Sequence, residues 1–222
     1  MKKVMHNLYQ TLPHDLTQYI DCKRRRKHWR TQEIVFVHVP KAAGTSVSHA
    51  VYGRSLGHFK ASEIKRWCPK EFENLFKFAF VRNPWDRAVS AYRFAIKGGT
   101  EVAGIRKSRQ YQIPELRSFE AFVYEWLAEH NLSELDNVFQ PQYLFVADEN
   151  DKLMVDYLGK VEQLEHDMRK ISNITEKGLE VLELNQVGGR GEYMKYYQDS
   201  QLIDAVGKLY AKDVALFGYD FK

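Results

Sequence analysis

Two short runs of β-branched and aromatic residues stand out along the chain, "EIVFVHV" (Glu33 to Val39) and "KFAFVRN" (Lys77 to Asn83). Neither keeps a polar residue at every second position, so each reads as a strand covered on both faces. The stretch after the second run carries helix-start chemistry. Asn83 suits the N-cap, Pro84 the first helical position, and Asp86 complements the positive end of the helix dipole. That helix is expected to run to about Ile96 and to end at Gly98 and Gly99.

Further along, "SFEAFVYEWLAEHN" (Ser118 to Asn131) places Phe119, Phe122, Val123, Trp126 and Leu127 on one side of an amphipathic helix. "KLMVDYLGKVE" (Lys152 to Glu162) alternates as a strand does and passes into a helix at "QLEHDMRKI". A last helix is expected from Asp199, an N-cap residue, to about Leu216. Strand and helix alternate, which predicts an α/β domain with a mainly parallel sheet over residues 33–222. Residues 1–32 read as an N-terminal arm or accessory helical segment. In open parallel sheets ligands bind beyond the carboxyl ends of the strands, where the loop after Val39 lies.

Composition changes this picture little. The 222 residues are 44% hydrophobic and 28% charged, with thirteen Tyr, thirteen Phe and four Trp, enough to build a sizeable core. A net charge of +4 is too mild to argue for nucleic acid. The excess is local: "CKRRRKHWR" (Cys22 to Arg30) holds six basic side chains in nine positions, a solvated face or a patch for an acidic partner. The two cysteines, Cys22 and Cys68, stand far apart in sequence and make no disulfide framework or metal-ligand spacing, which suits a reduced compartment. The polar N-terminus offers neither a signal-peptide core nor a membrane span, so the expectation is a soluble, cytoplasmic chain.

The loop "PKAAGTS" (Pro40 to Ser46) carries the first candidate chemistry. A buried strand delivers the chain to Pro40, and small residues then let the backbone approach a ligand closely. The amides of Ala43, Gly44, Thr45 and Ser46 open a helix, which makes an anion site. Lys41 adds a full positive charge, and Thr45 and Ser46 add hydroxyls. The nucleoside-triphosphatase pattern has its lysine after the glycines and a hydroxyl for magnesium. Here the lysine comes first, no acidic strand end stands ready for a metal, and no metal site is expected.

"FVHVPKAAGTS", followed about forty residues later by "FAFVRNPWDRAVSAYRF", resembles the carbohydrate (family 2) type of sulfotransferase. "FQPQYLFVADENDKLMVDYLGKVEQLEHDM", with its Pro-Gln pair and Glu162, and the aromatic C-terminal stretch ending in Phe-Gly-Tyr resemble the rest of that family's domain. The resemblance implies a P-loop-like three-layer sandwich with a mainly parallel central sheet. It also implies a metal-independent enzyme using 3′-phosphoadenosine-5′-phosphosulfate (PAPS) and releasing adenosine 3′,5′-bisphosphate. Lys41, Ala43, Gly44, Thr45 and Ser46 would then hold the 5′-phosphosulfate, and Arg82 and Ser90 the 3′-phosphate. Read without the family, Arg82 is a surface partner of Asp86 and Ser90 a helix-packing residue.

Sulfuryl transfer needs in-line geometry and stabilisation of charge on the leaving oxygen, a task for Lys41 and the loop amides. The acceptor hydroxyl must lose its proton, and a histidine is the usual base near neutral pH. His38 lies inside the first strand and reads as a core residue, and His49 lies one turn after Thr45. His58 falls between the two motifs, where related glycan sulfotransferases place a catalytic histidine, and is the expected base, with Glu63 as the alternative.

The loop "NQVGGRGEYMKYY" (Asn185 to Tyr197) is expected to bring Arg190 to a phosphate and Tyr193 to an adenine, or else to be a plain loop. The basic stretch from Lys97 to Arg117 suits an acidic acceptor, or simply faces solvent. The leading expectation is therefore transfer to a hydroxyl-bearing acceptor, such as a carbohydrate. A P-loop kinase, a non-catalytic nucleotide- or glycan-binding module and a nucleic-acid binder are the rivals. No specific nucleic-acid recognition motif is present, and many of the family's animal members carry a membrane anchor that is not evident here.

Overall fold

The computed structural model describes residues 13–98, 108–180 and 191–221. The chain enters as a long helix, α1 (His14–Gln32), whose end is turned by Glu33 in the left-handed region. It continues through β1 (Ile34–Val37), α2 (Gly44–Tyr52), α3 (Ala61–Trp67), α4 (Pro69–Asn74), β2 (Phe76–Val81) and α5 (Pro84–Lys97). After α5 the helical run α6 starts at Phe119–Ala121, passes through a π-helical turn (Phe122–Trp126) and closes as a 3-10 turn (Leu127–Glu129). Then come α7 (Tyr143–Val146), β3 (Tyr157–Lys160), α8 (Leu164–Thr175), α9 (Ser200–Leu209) and α10 (Ala211–Phe217).

The three strands form a parallel sheet in the order β1-β2-β3, with Phe36 opposite Phe78 and Phe80 opposite Gly159. The α/β class with a parallel sheet is therefore as the sequence pattern required. Both faces of the sheet are covered, and the period of two along a strand divides the residues between two cores. Val35, Val37, Ala79 and Val81 join a large core that includes Cys22 and Trp29 of α1 and Ala88 and Tyr92 of α5. Ile34, Phe36, Phe78 and Phe80 point the other way, onto Val47 and Val51 of α2 and Met168 and Ile171 of α8. Gly159 of β3 is required by this second core: a Cβ there would stand 2.4 Å from the Phe80 ring.

Parallel strands put their carboxyl ends on one side of the sheet. The loops leaving β1 and β2 therefore open side by side, which is what places the candidate site. The helix after β2 begins as expected, with Asn83 Oδ1 accepting from the amides of Trp85 and Asp86 at 3.0 and 3.4 Å and Pro84 in the first turn. It runs one residue beyond Ile96 and is closed by Gly98 in the left-handed region.

Two elements differ from the sequence pattern. The strand expected over residues 152–162 is confined to Tyr157–Lys160, where β2 offers backbone partners, and Val161–Gln163 is already a 3-10 turn. The final helix starts at its Asp199 cap but breaks at Tyr210 into α9 and α10. The break lets the buried Tyr210 hydroxyl donate to the Phe139 carbonyl at 2.9 Å and turns Asp213 inward.

Folding α1 against the α3–α4 junction brings Cys22 and Cys68, distant in sequence, to an Sγ–Sγ separation of 3.6 Å as buried free thiols. No helix among the described residues is long and apolar enough to cross a membrane.

Candidate active site

The loop from β1 to α2 is held in a conformation that L-residues seldom adopt. Lys41 and Ala43 have φ of 65° and 55°, at a cost of roughly 1–2 kcal/mol each. Such strain persists only where the surroundings enforce it, and it concentrates at functional sites. Ala43 is left-handed and Gly44 begins a right-handed helix, a pairing of hands that turns successive N–H groups into one concavity suited to an anion. Ala43 occupies the N-cap position of α2 and has no side-chain oxygen to offer the first-turn amides. The helix start thus asks for an acceptor from outside.

Gly44 cannot carry a side chain, because a Cβ would lie 1.8 Å from Cδ2 and Nε2 of His38. The His38 imidazole is buried against Gly44, stacks on Phe36 with centroids 5.5 Å apart, and approaches the His58 ring to 4.0 Å. Its Nδ1 has no hydrogen-bond partner among the described residues, and burial, the nearby His58 and Lys41 hold it well below the usual histidine range.

The second loop is fixed almost entirely by its backbone. Gln142 Oε1 accepts from the Arg82 amide at 2.9 Å, and Gln142 Nε2 donates to the Arg82 carbonyl at 2.8 Å. Asp213, fully buried, accepts from the amides of Gln142 and Tyr143 at 2.8 Å each and so anchors the anchor. Glu162 Oε1 accepts from the Asn83 amide at 2.6 Å, while its Oε2 accepts from the Tyr219 hydroxyl at 2.9 Å.

The Arg82 side chain does pair with Asp86, through Nε at 2.8 Å and Nη2 at 2.7 Å. Its Nη1 donates to the Lys41 carbonyl at 3.4 Å. A guanidinium has five N–H groups, so these contacts leave two for a further acceptor. Ser90 lies on α5, half-buried, one helical turn beyond Asp86 and one before Phe94. Lys41 Nζ lies over the Phe94 ring, 4.1 Å from its centroid. Asp86, Ser90 and Phe94 thus share one stripe of α5, with Arg82 paired to its first member and Lys41 lying over its last.

Lys41 has no carboxylate partner among the described residues. Burial, then Arg82 and Arg87, push its ammonium down to about 8. A desolvated cation beside two others favours an anion in its vicinity. His58 Nδ1 lies 3.2 Å from the His38 carbonyl. A carbonyl can only accept, so Nδ1 carries the proton and Nε2 keeps its lone pair. Burial first, then Lys41 and Arg87, lower the His58 pKa, while the hydrogen bond to His38 works the other way.

The structure thus gathers Lys41, Ala43, Gly44, Thr45, Ser46, Arg82, Ser90 and His58 around the two strand ends. It commits Glu63 elsewhere, its Oε2 accepting from the Lys60 amide at 2.7 Å at the start of α3. Tyr193 is buried among Tyr197 and Phe221. Arg190, with the preceding part of its loop, and residues 99–107 of the basic stretch lie outside the described residues. Among the described residues no three His, Cys, Asp or Glu side chains converge as a metal site requires.

Sequence reading missed Arg87 and Asp213. Each had a signal, being a lone charge on an otherwise apolar helical stripe: Arg87 with Ala91 and Ala95, Asp213 with Tyr210 and Phe217.

A family model described as the sulfotransferase family matches residues 28–220, nearly the whole chain. The chain belongs to that family, of the family 2 type. No curated protein matches it closely enough to supply a named relative.

Proposed function

We propose that this chain transfers the sulfuryl group of PAPS to a hydroxyl of a carbohydrate acceptor, on a P-loop-like three-layer framework. One observation carries the reading. The Arg82 guanidinium donates to the Lys41 carbonyl, so the two cations meant for opposite ends of the donor adjoin on neighbouring strand ends. The α2 start without a side-chain cap, the small residues before it and the Lys41 ammonium, which has no carboxylate partner among the described residues, fit a doubly phosphorylated nucleotide.

In this reading the amides of Ala43 to Ser46 and Lys41 receive the 5′-phosphosulfate, and Arg82 and Ser90 the 3′-phosphate, with Arg190 as a further phosphate ligand. The donor supplies an activated sulfuryl group. The acceptor oxygen forms its bond to sulfur as the bond from sulfur to the bridging oxygen breaks. Lys41 and the loop amides neutralise the charge left on that oxygen. His58 Nε2 takes the acceptor's proton. Its depressed pKa keeps it unprotonated before transfer, and the donor's anionic groups beside Lys41 offset the positive field that depresses it.

Thermal melting with ligands and a transfer assay with labelled donor test the reading together. Adenosine 3′,5′-bisphosphate without metal should raise the melting temperature well beyond ATP with magnesium, and label should pass to a glycan. Stabilisation by ATP with magnesium alone overturns the donor assignment. Donor binding without transfer to any hydroxyl acceptor points to a binding module.

A further inference from the structure

We propose that Arg87 is a positioning residue whose buried guanidinium sets the separation between the two donor-binding loops. The inference rests on the donor reading above. Arg87 lies on α5, 2% exposed, and makes contacts that neither loop could make for itself. Its Nε donates to the carbonyl of Pro40, the residue before Lys41, at 2.9 Å. Its Nη2 donates to the carbonyls of Gln140 and Val138 at 2.8 and 3.3 Å. Gln140 is two residues from Gln142, whose side chain holds Arg82 at both its amide and its carbonyl. One planar cation therefore fixes the first loop directly and the second through the segment from Val138 to Gln142.

A buried arginine is costly to desolvate, even after the surroundings relax. The charged and titratable groups facing it are Asp213 and Tyr210 from the α9–α10 corner and Arg82 from its own loop, while Lys41 and His58 lie within its field. Among the described residues no carboxylate stands within ion-pair distance of it. Its partners are three backbone carbonyls from two separate segments. A rigid fork that bridges fixed carbonyls suits a spacer, a task a flexible point charge such as lysine performs poorly.

The consequence is specific to a ligand with two phosphates. Such a ligand gains over either half because binding one end presents the other at high effective concentration, an advantage lost when the two sites are misplaced. Dissociation constants for adenosine 3′,5′-bisphosphate, adenosine 5′-monophosphate and adenosine 3′-monophosphate are compared by calorimetry in the full chain and in Arg87→Lys, with melting recorded for each. The expected result is a loss of about tenfold or more for the bisphosphate and of no more than about threefold for either monophosphate.

Equal weakening of all three ligands would reduce Arg87 to general stabilisation and overturn the proposal, as would unchanged binding. Should Arg87→Lys fail to melt cooperatively, Arg87→Gln, which leaves no buried charge to desolvate, takes its place with the same expected pattern and the same overturning results. A wild-type chain that prefers no bisphosphate over the monophosphates would instead sink the donor reading, which keeps the two failures apart.

Discussion

Gln142 grips Arg82 by both of its main-chain polar groups, accepting from its amide at 2.9 Å and donating to its carbonyl at 2.8 Å, across 60 residues of sequence. Because Gln142 is fully buried, cutting it leaves an amide and a carbonyl without partners. Gln142→Ala should cost about 2–6 kcal/mol of stability, the sum of two unmet groups at about 1–3 kcal/mol each with little recovered from water. Chemical denaturation checks the loss. A variant as stable as the parent would show that the loop at Arg82 holds itself.

Lys41 gives the site a pH signature. With its pKa near 8 in the free chain, the ammonium is charged at neutral pH and neutral above. A bound anion favours the charged form and raises that pKa, so binding above pH 8 must take up a proton. The dissociation constant for adenosine 3′,5′-bisphosphate should be flat below about pH 7 and rise up to tenfold per pH unit above pH 8. Titration calorimetry across pH 6.5 to 9.5 measures it. A flat profile would remove Lys41 from the ligand.

The same shift bears on folding. A lysine whose folded pKa lies below its unfolded value opposes folding while it is charged. That penalty is full below about pH 8 and relieved as pH rises toward 10.5. Lys41→Met should therefore stabilise the ligand-free chain at neutral pH, seen as a higher melting temperature, while abolishing donor binding. A lower melting temperature would mean that the loop draws on Lys41 for structure.

For His58 the expectation is kinetic. His58→Ala should lower turnover by about 10²–10⁴-fold, the range for a lost general base, with donor affinity changed less than twofold. Steady-state rates with labelled donor and a binding titration separate the two. Turnover within about threefold of the parent would take His58 out of the proton transfer.

Gly44 is closed to any side chain, with His38 atoms 1.8 Å from where a Cβ would stand. Gly44→Ala should displace the His38 ring and with it the carbonyl that fixes the His58 tautomer. A stability loss of about 1–3 kcal/mol, typical of overpacking, should accompany a turnover loss larger than the loss in donor affinity. Equal losses in both would place the damage in the anion loop alone.

What the sequence made legible is what local chemistry decides. Asn83 followed by Pro84, Gly98 after the last turn and the two buried runs each fix an element through neighbours within a few residues, and all appear where expected. The grouping of Lys41 with Arg82 was readable because parallel strands put their following loops on one side. The rest depends on contacts that local pattern does not encode. Asp213 reaches Gln142 across 71 residues, and Arg87 reaches Gln140 across 53. The truncation of the strand expected over residues 152–162 was equally hidden, since its alternation is compatible with pairing but only Tyr157–Lys160 finds partners on β2. The Arg82–Asp86 pair, the plainer reading of Arg82, is present, and the guanidinium still keeps two N–H groups for a ligand.

A crystal structure with adenosine 3′,5′-bisphosphate bound tests the central claim most directly. The 5′-phosphate should lie within hydrogen-bond reach of the amides of Ala43 to Ser46 and of Lys41 Nζ, and the 3′-phosphate within reach of Arg82 and Ser90. A nucleotide bound elsewhere, or engaging one loop while the other stays clear of it, would contradict the account.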